Sequence, residues 1–220
     1  MSTQDLPWKL VLFDLDGTLI NSIDLVVAAW QHAFADVLGK QLDRETVLPW
    51  IGLPLTDTIA EQGGDKAEAL RASYDQFMQA NHDDMVTAFA GLPELLDDLA
   101  VYNVGTAVVT AKGRELAERG LRVAGYPETL HVAAAMEDTR EHKPNPAPLL
   151  AALAHEGAHA SDAVYVGDAI YDLQAAEAAE AAGIPAIGVT WGAGKRDALH
   201  QQRALAFADA PDELRAQLLG

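Results

Sequence analysis

The sequence predicts an open, doubly wound sheet of parallel strands with helices on both faces and one α-helical insertion. Three observations predict it. Short apolar runs of strand length recur along the chain and alternate with segments of helical period, the pattern of repeated strand–helix units. The runs are apolar at successive positions rather than every second one, as expected of strands covered on both faces. The alternation is interrupted once, between the first run and the second, by a long stretch of helical spacing.

The first run is Leu10-Val-Leu-Phe13. From Ser22 to Ala90 no convincing strand follows, and apolar residues recur as Val26/Val27, Trp30, Phe34 and Val37/Leu38. Gly39-Lys40, Gly52-Leu-Pro54, Gly63-Gly64 and Gly91-Leu-Pro93 divide this stretch into about four helices. Trp30 and Phe34, one helical turn apart, read as core. The later strand runs are Val104–Val109, His131–Ala135, Val164–Val166, Ala186–Val189 and, more weakly, Leu205–Ala208. Between and after them lie helical patterns at Pro93–Ala100, Arg114–Val123, Pro146–Ala154, Leu173–Ala182 and Pro211–Leu219. Pro93, Pro146 and Pro211 stand where proline suits a first helical turn. The expected division is a catalytic core of residues 1–20 and 91–220 and a helical cap of residues 21–90, with hinges at Leu19–Asn21 and Phe89–Leu92.

The charge balance narrows the function. Against 15 Lys and Arg stand 33 Asp and Glu, a net charge of −18. Such a surface repels nucleic acid and anionic membranes, which bind through Lys and Arg clusters. An anionic substrate needs something local that reverses the sign. With no cysteine, disulfides and thiolate metal sites are excluded. The first residues carry neither the basic stretch nor the apolar run of a secretory signal, so a cytoplasmic protein is expected. A monomer and a homodimer both fit the sequence.

Parallel sheets of this kind place their chemistry beyond the carboxyl ends of the strands. That edge collects Asp14-Leu-Asp16-Gly-Thr18 after the first strand and Thr110 after the second. Lys143 follows the third, and Gly167-Asp168 with Asp172 follows the fourth. Asp14 and Asp16, two apart, would share a face if the strand continued through them. With Asp168 they crowd carboxylates at one spot, a set of oxygen ligands suited to Mg²⁺. The ion supplies the local positive charge the surface lacks. Lys143, the Thr110 hydroxyl and the backbone N–H groups of Leu15 and Ala111 are placed to hold phosphoryl oxygens. An aspartate attacking phosphorus splits one displacement into two, and a second carboxylate serves as acid and then base. Asp14 and Asp16 are typed for these two jobs. Alone, Asp-Gly-Thr after a strand is a common turn and helix cap; the other strand-end residues set that reading aside.

Phe13-Asp14-Leu-Asp16-Gly-Thr-Leu19, Val108-Val-Thr110, His142-Lys143-Pro-Asn-Pro146 and Val166-Gly-Asp168-Ala-Ile-Tyr-Asp172 resemble, in order, the four signature motifs of the haloacid dehalogenase superfamily. The resemblance covers essentially the whole chain, and the helical stretch resembles that family's mobile cap. It implies Asp14 as nucleophile, Asp16 as acid/base, and Thr110 and Lys143 as phosphate ligands. It also implies Mg²⁺ on Asp14, Asp168 and the backbone carbonyl of Asp16, with Asp172 steadying Lys143 or a metal-bound water. Many relatives with helical caps carry Asn after the second-motif Thr, where this chain has Ala111-Lys112. The helix after Asp172 reaches Gly183 about one turn late, through an Ala-Ala-Glu duplication.

Haloalkanoate dehalogenases of this superfamily lack the acid/base aspartate, so Asp16 points to phosphoryl transfer. Val47–Thr58, Asn81–Val86, Gly188–Trp191 and Gly194–Asp197 are similar to the superfamily's bacterial inorganic pyrophosphatases, and nearly as similar to its phosphoglycolate phosphatases. The expected substrate is pyrophosphate or a small phosphomonoester. A phosphosugar mutase is the alternative within the superfamily, and a non-catalytic binding protein on the same fold is the alternative outside catalysis. Arg71, His82 and Lys112 are the candidate specificity cations, with Lys195 and Arg196 behind them; each also reads as a solvated charge, and His82 as a partner of Asp83 or Asp84. Two motif-like strings do not qualify. His155-Glu-Gly-Ala-His159 has the zinc-peptidase spacing, but Gly157 ends the helix before the second histidine. Gly192-Ala-Gly-Lys195 hints at a nucleotide loop, but Val189 stands where that loop starts with Gly and Arg196 where it needs Ser or Thr.

Overall fold

The computed structural model describes residues 6–179 and 184–220. In chain order the elements are β1 (Leu10–Phe13), β2 (Ile20–Asn21), α1 (Ile23–Ala33), α2 (Arg44–Val47), α3 (Leu55–Gly63), α4 (Ala67–Met85), β3 (Thr87–Ala88), α5 (Leu92–Val101), β4 (Gly105–Val109), α6 (Arg114–Val123) and β5 (His131–Ala134). They continue as α7 (Ala147–Glu156), β6 (Ala163–Gly167), α8 (Ile170–Ala178), β7 (Ala186–Val189), α9 (Arg196–Leu199), β8 (Ala206–Ala208) and α10 (Pro211–Leu219).

Six strands form one sheet in the order β5-β4-β1-β6-β7-β8, every neighbouring pair parallel. The chain builds outward from β1 in one direction, through β4 to β5, then returns to β6 and builds the other way. That is the doubly wound order, and β1 and β6 flank the point where winding reverses. β1 is wholly buried, paired with β4 on one side and β6 on the other.

Successive side chains of a strand point to opposite faces, and β1 shows it. Val11 and Phe13 join an apolar cluster with Leu92, Leu95, Leu96 and Leu99 of α5 and with Leu214 and Leu218 of α10. Leu10 and Leu12 join a second cluster with Leu149 and Leu153 of α7 and Leu173 of α8. The four α5 leucines fall at i, i+3, i+4 and i+7, one face of a helix. Burial of each contributes about 1.5–3 kcal/mol.

The helix boundaries follow local chemistry. Pro93 lies in the first turn of α5, and Pro211 opens α10. Pro146 instead stands just before α7, and Pro148 occupies its first turn. α8 starts three residues earlier than the apolar pattern indicates, at Ile170; the expected end at Ala182 and Gly183 lies outside the described residues.

The insertion comprises α1 to α4, with α1 and α4 packed along each other. An aromatic cluster joins them: Trp30 meets Tyr74 at 5.2 Å, Trp50 at 4.9 Å and Phe34 at 6.0 Å between ring centroids. One expectation is corrected here. The stretch from Ser22 to Ala90 does contain a strand, Thr87–Ala88, which pairs antiparallel with Ile20–Asn21. Two residues are too short for an apolar pattern to register. The pair ties the outgoing chain to the returning one where it enters and leaves the insertion. Among the described residues no helix is long and apolar enough to cross a membrane.

Candidate active site

Asp14 is the first residue beyond β1, and its N–H donates to Val166 O of β6 at 2.8 Å. Strand pairing thereby sets it at the reversal point of the sheet. The chain then turns tightly: Leu15 O accepts from the N–H groups of Thr18, Leu19 and Ile20, and Gly17 N–H returns to Ile20 O. Asp14 and Asp16 therefore sit in a turn, because β1 ends at Phe13; strand alternation is not what relates them. Both line one cavity of about 330 Å³ between the sheet edge and the insertion. Thr110, Ala111, Lys112, Arg71, Trp30, Trp50 and Tyr74 line it as well.

Lys143 is buried and donates from Nζ to Asp14 Oδ1 at 2.6 Å, to Asp172 Oδ1 at 2.6 Å and to Tyr165 Oη at 3.1 Å. Tyr165 Oη also donates to Asp172 Oδ1 at 2.8 Å, and Ala169 N–H donates to Asp172 Oδ2 at 2.9 Å. Both oxygens of Asp172 are thus engaged, so it braces Lys143. Asp168 accepts at Oδ1 from the Thr18 hydroxyl (2.9 Å) and at Oδ2 from Ala193 N–H (2.8 Å). The backbone closes around it: a Cβ on Gly17, whose φ is +87°, would lie 2.4 Å from Asp168 Oδ2, and one on Gly192 would lie 2.1 Å from it. Only glycine fits either position.

Asp16 is held apart from this group. Its Oδ1 accepts from the Ser22 hydroxyl and from Lys112 Nζ, each at 2.5 Å. Thr110 Oγ1 accepts from Lys112 N–H at 3.1 Å, which leaves the hydroxyl proton to donate elsewhere. The N–H groups of Leu15 and Ala111 donate to no protein group among the described residues.

The electrostatics follow from burial. Asp14, Asp168 and Asp172 have ligand atoms within 4.8 Å of one another, and all three are buried. One ammonium, Lys143, stands against three carboxylates. Burial, chiefly, pushes Asp14 well above the usual carboxylate range; Lys143 opposes this, while Asp172 and Asp168 add to it. Asp168 is pushed up to about 7 by burial and by Asp172. Burial works against the Lys143 charge, but Asp14 and Asp172 hold it above the ordinary lysine range. An all-oxygen set with unbalanced negative charge fits a hard divalent cation. Asp172 is committed to the Lys143 ammonium, whereas Asp168 accepts only from neutral donors and Asp14 keeps one oxygen unengaged, so Asp14 and Asp168 are the pair suited to an ion.

The other sequence candidates separate. Arg71 lines the cavity, tied to Asp75 at 2.6 Å, and Lys112 lines it through Asp16. His82 is fully buried, bonded through Nδ1 to Asp83 at 2.9 Å and set against Gly120 of α6. It is not among the cavity's lining residues. Lys195 precedes α9, and Arg196 pairs with Asp209. Trp30 is both core, 2% exposed, and part of the cavity wall. Sequence reasoning assigned no role to Thr18, Ser22, Tyr165 or the Gly192–Gly194 loop. Thr18 stands inside the first motif and Tyr165 inside an apolar run, and the loop carries a nucleotide-loop-like string and the start of a pyrophosphatase-like stretch, neither of which points to Asp168.

The family model described as haloacid dehalogenase-like hydrolase matches residues 11–189. The chain is 34% identical over 181 residues to pyrophosphatase PpaX of Bacillus velezensis, covering 82% of each protein. It is 36% identical over 163 residues to pyrophosphatase PpaX of Halalkalibacterium halodurans, covering 74% of this chain and 76% of that one. Among solved structures, a protein of Haemophilus somnus 129pt described as a predicted phosphoglycolate phosphatase superposes with a TM-score of 0.81 at 25% identity, covering 97% of this chain and 99% of that one.

Proposed function

The chain belongs to the haloacid dehalogenase-like hydrolases and is a hydrolase of the phosphatase class; from that premise we propose that it transfers a phosphoryl group from a small phosphate substrate, pyrophosphate foremost, to Asp14. The observation that carries this reading is the Lys143 ammonium shared between Asp14 and Asp172 beside Asp168. It holds a buried carboxylate at one oxygen, and no other hydrogen bond reaches the Asp14 carboxylate among the described residues.

An Asp14 oxygen attacks phosphorus as the bond to the leaving oxygen breaks, and Asp16 gives its proton to that oxygen. Water then attacks the aspartyl-phosphate, Asp16 takes its proton, and the Asp14 carboxylate is released with phosphate as product. Ser22 and Lys112 hold Asp16 by one oxygen, which supports a fixed orientation for these transfers. Thr110, Lys143 and the free amides of Leu15 and Ala111 are suited to the phosphoryl oxygens. Mg²⁺ on Asp14, Asp168 and the Asp16 carbonyl would neutralise phosphate charge and polarise the phosphorus. The helices of residues 21–90 act as a cap hinged at the β2–β3 pair, closing to exclude water. Arg71 is the cap cation available to an anionic leaving group. The names of the PpaX relatives favour pyrophosphate over phosphoglycolate.

Released phosphate, measured with Mg²⁺ across pyrophosphate, phosphoglycolate and sugar phosphates, tests the reading. Pyrophosphate is expected to give the highest kcat/KM. Preference for a sugar phosphate, or activity independent of Mg²⁺, contradicts it.

The raised carboxylates also predict how metal and pH combine. An unfolded Asp titrates near 3.9, and folded Asp168 near 7. Between those values the folded chain binds more protons than the unfolded one, so metal-free stability falls as pH rises through the window. Asp14 acts in the same direction, and Lys143, raised, acts only at higher pH. Mg²⁺ favours the ionised form. Its stabilisation, read as a Tm increment, should be small at pH 5 and larger at pH 8. An increment that shrinks with pH removes Asp14 and Asp168 as its ligands.

A further inference from the structure

A second cluster of metal-ligating groups lies outside the cavity. His131 opens β5, the edge strand, at the end remote from the Asp14 edge of the sheet. His155 and Glu156 are the last residues of α7, which stops at Gly157 with φ +61°. His159, the second histidine of the zinc-peptidase spacing, falls beyond the helix. The helix end instead meets a histidine from another element. His131 Nε2 lies 2.7 Å and His155 Nδ1 2.8 Å from the same oxygen, Glu156 Oε1. One donor atom from each residue lies within 4.8 Å of the other two.

The ring partners define which nitrogen is available. His131 Nδ1 lies 3.3 Å from Thr129 O. Both ring nitrogens thus face acceptors, Nδ1 the Thr129 carbonyl and Nε2 the nearer Glu156 carboxylate. A neutral ring satisfies only one of them, so the Nε2 side needs a positive charge between ring and carboxylate, either a proton or a metal ion. A ring nitrogen fixed by a backbone carbonyl, with the other turned inward, is how metal-bound histidines are commonly oriented. Two imidazoles and a carboxylate are the mixed nitrogen and oxygen set that Zn²⁺ takes, leaving a fourth position for water. The all-oxygen set at Asp14 differs in kind. The side chains of His131 and His155 are 42% and 57% exposed, which gives an ion access.

We propose that His131, His155 and Glu156 form a second metal site, of zinc-type chemistry, that clips the edge strand β5 to the end of α7. It stands apart from phosphoryl transfer and works on stability.

The test uses the full chain at pH 7.5 with Mg²⁺ in large excess, so that the aspartate site is filled, and titrates Zn²⁺. Equilibrium dialysis is expected to find one Zn²⁺ per chain. At a hundredfold excess over Kd, Tm should rise by roughly 5–10 °C. His131→Ala should lose both the bound Zn²⁺ and the Tm rise. If that variant folds poorly, His155→Ala, on an exposed helix end, gives the same readout. Failure of the wild type to bind Zn²⁺ beyond the aspartate site overturns the proposal in favour of an imidazolium–carboxylate ion pair. Equal binding by wild type and both variants overturns it too, because the ion then sits elsewhere.

Discussion

Asp14→Asn is expected to lower kcat by at least about 10⁴-fold while the protein folds normally. The amide matches the carboxylate in size and still accepts from Lys143, so the turn after β1 and its bond to Val166 are undisturbed. What is lost is the anionic oxygen that attacks phosphorus. At 10⁴-fold the missing stabilisation of the transition state is about 5.5 kcal/mol. Packing alone does not reach that value for an isosteric change. The metal-free variant should also be at least as stable as wild type at pH 8, because one of three crowded buried carboxylates has been neutralised. Single-turnover phosphate release together with thermal unfolding checks both halves. Wild-type turnover in a folded Asp14→Asn protein rejects the aspartyl-phosphate route.

Lys143→Met is expected to show the largest effect on stability. The ammonium is buried and shared by Asp14 and Asp172, and methionine keeps only the length of the stem. Removing one partner of a buried ion pair costs about 3–5 kcal/mol, because the other charge is left uncompensated. For a chain of this size that corresponds to a Tm lower by roughly 10 °C. Turnover should be lost as well, since Lys143 both restrains Asp14 and is suited to a phosphoryl oxygen. Asp172→Asn on the Lys143→Met background should recover part of the Tm but none of the activity, because the second change removes a stranded charge. Equal Tm values for Lys143→Met and wild type at pH 8 contradict the network.

The core was readable in the sequence for a definite reason. A parallel strand buried on both faces needs apolar residues at every position, so β1, β6 and β7 leave near-continuous runs, while β4 and the edge strand β5 leave them only in their buried later residues. Proline marks the first turns of α5, α7 and α10, and glycine follows the ends of α3 and α7. The strand β3 left no mark. Its pairing with β2 depends on Ile20 and Ala88 meeting, which no local pattern encodes. The start of α8 was also missed, because Ile170, Tyr171 and Asp172 fall inside a motif whose chemistry hides its helical period.

At the site, residue type and place along the chain were determined by the sequence alone. Acids stand after the first and fourth core strands, Thr110 after the second, and Lys143 after the third. A strand end is a local feature, and the doubly wound order brings all such ends to one edge. Tertiary structure alone decided the pairings: that Lys143 bridges Asp14 and Asp172, that Lys112 and Ser22 hold Asp16, and that Gly17 and Gly192 close on Asp168. It also turned His82 away from the cavity and brought His131 to His155 and Glu156. Those outcomes depend on contacts between residues far apart in the chain, such as Lys143 with Asp14, 129 positions away. Their energies come from burial and from the angle at which elements pack, and neither is written in a short stretch of chain.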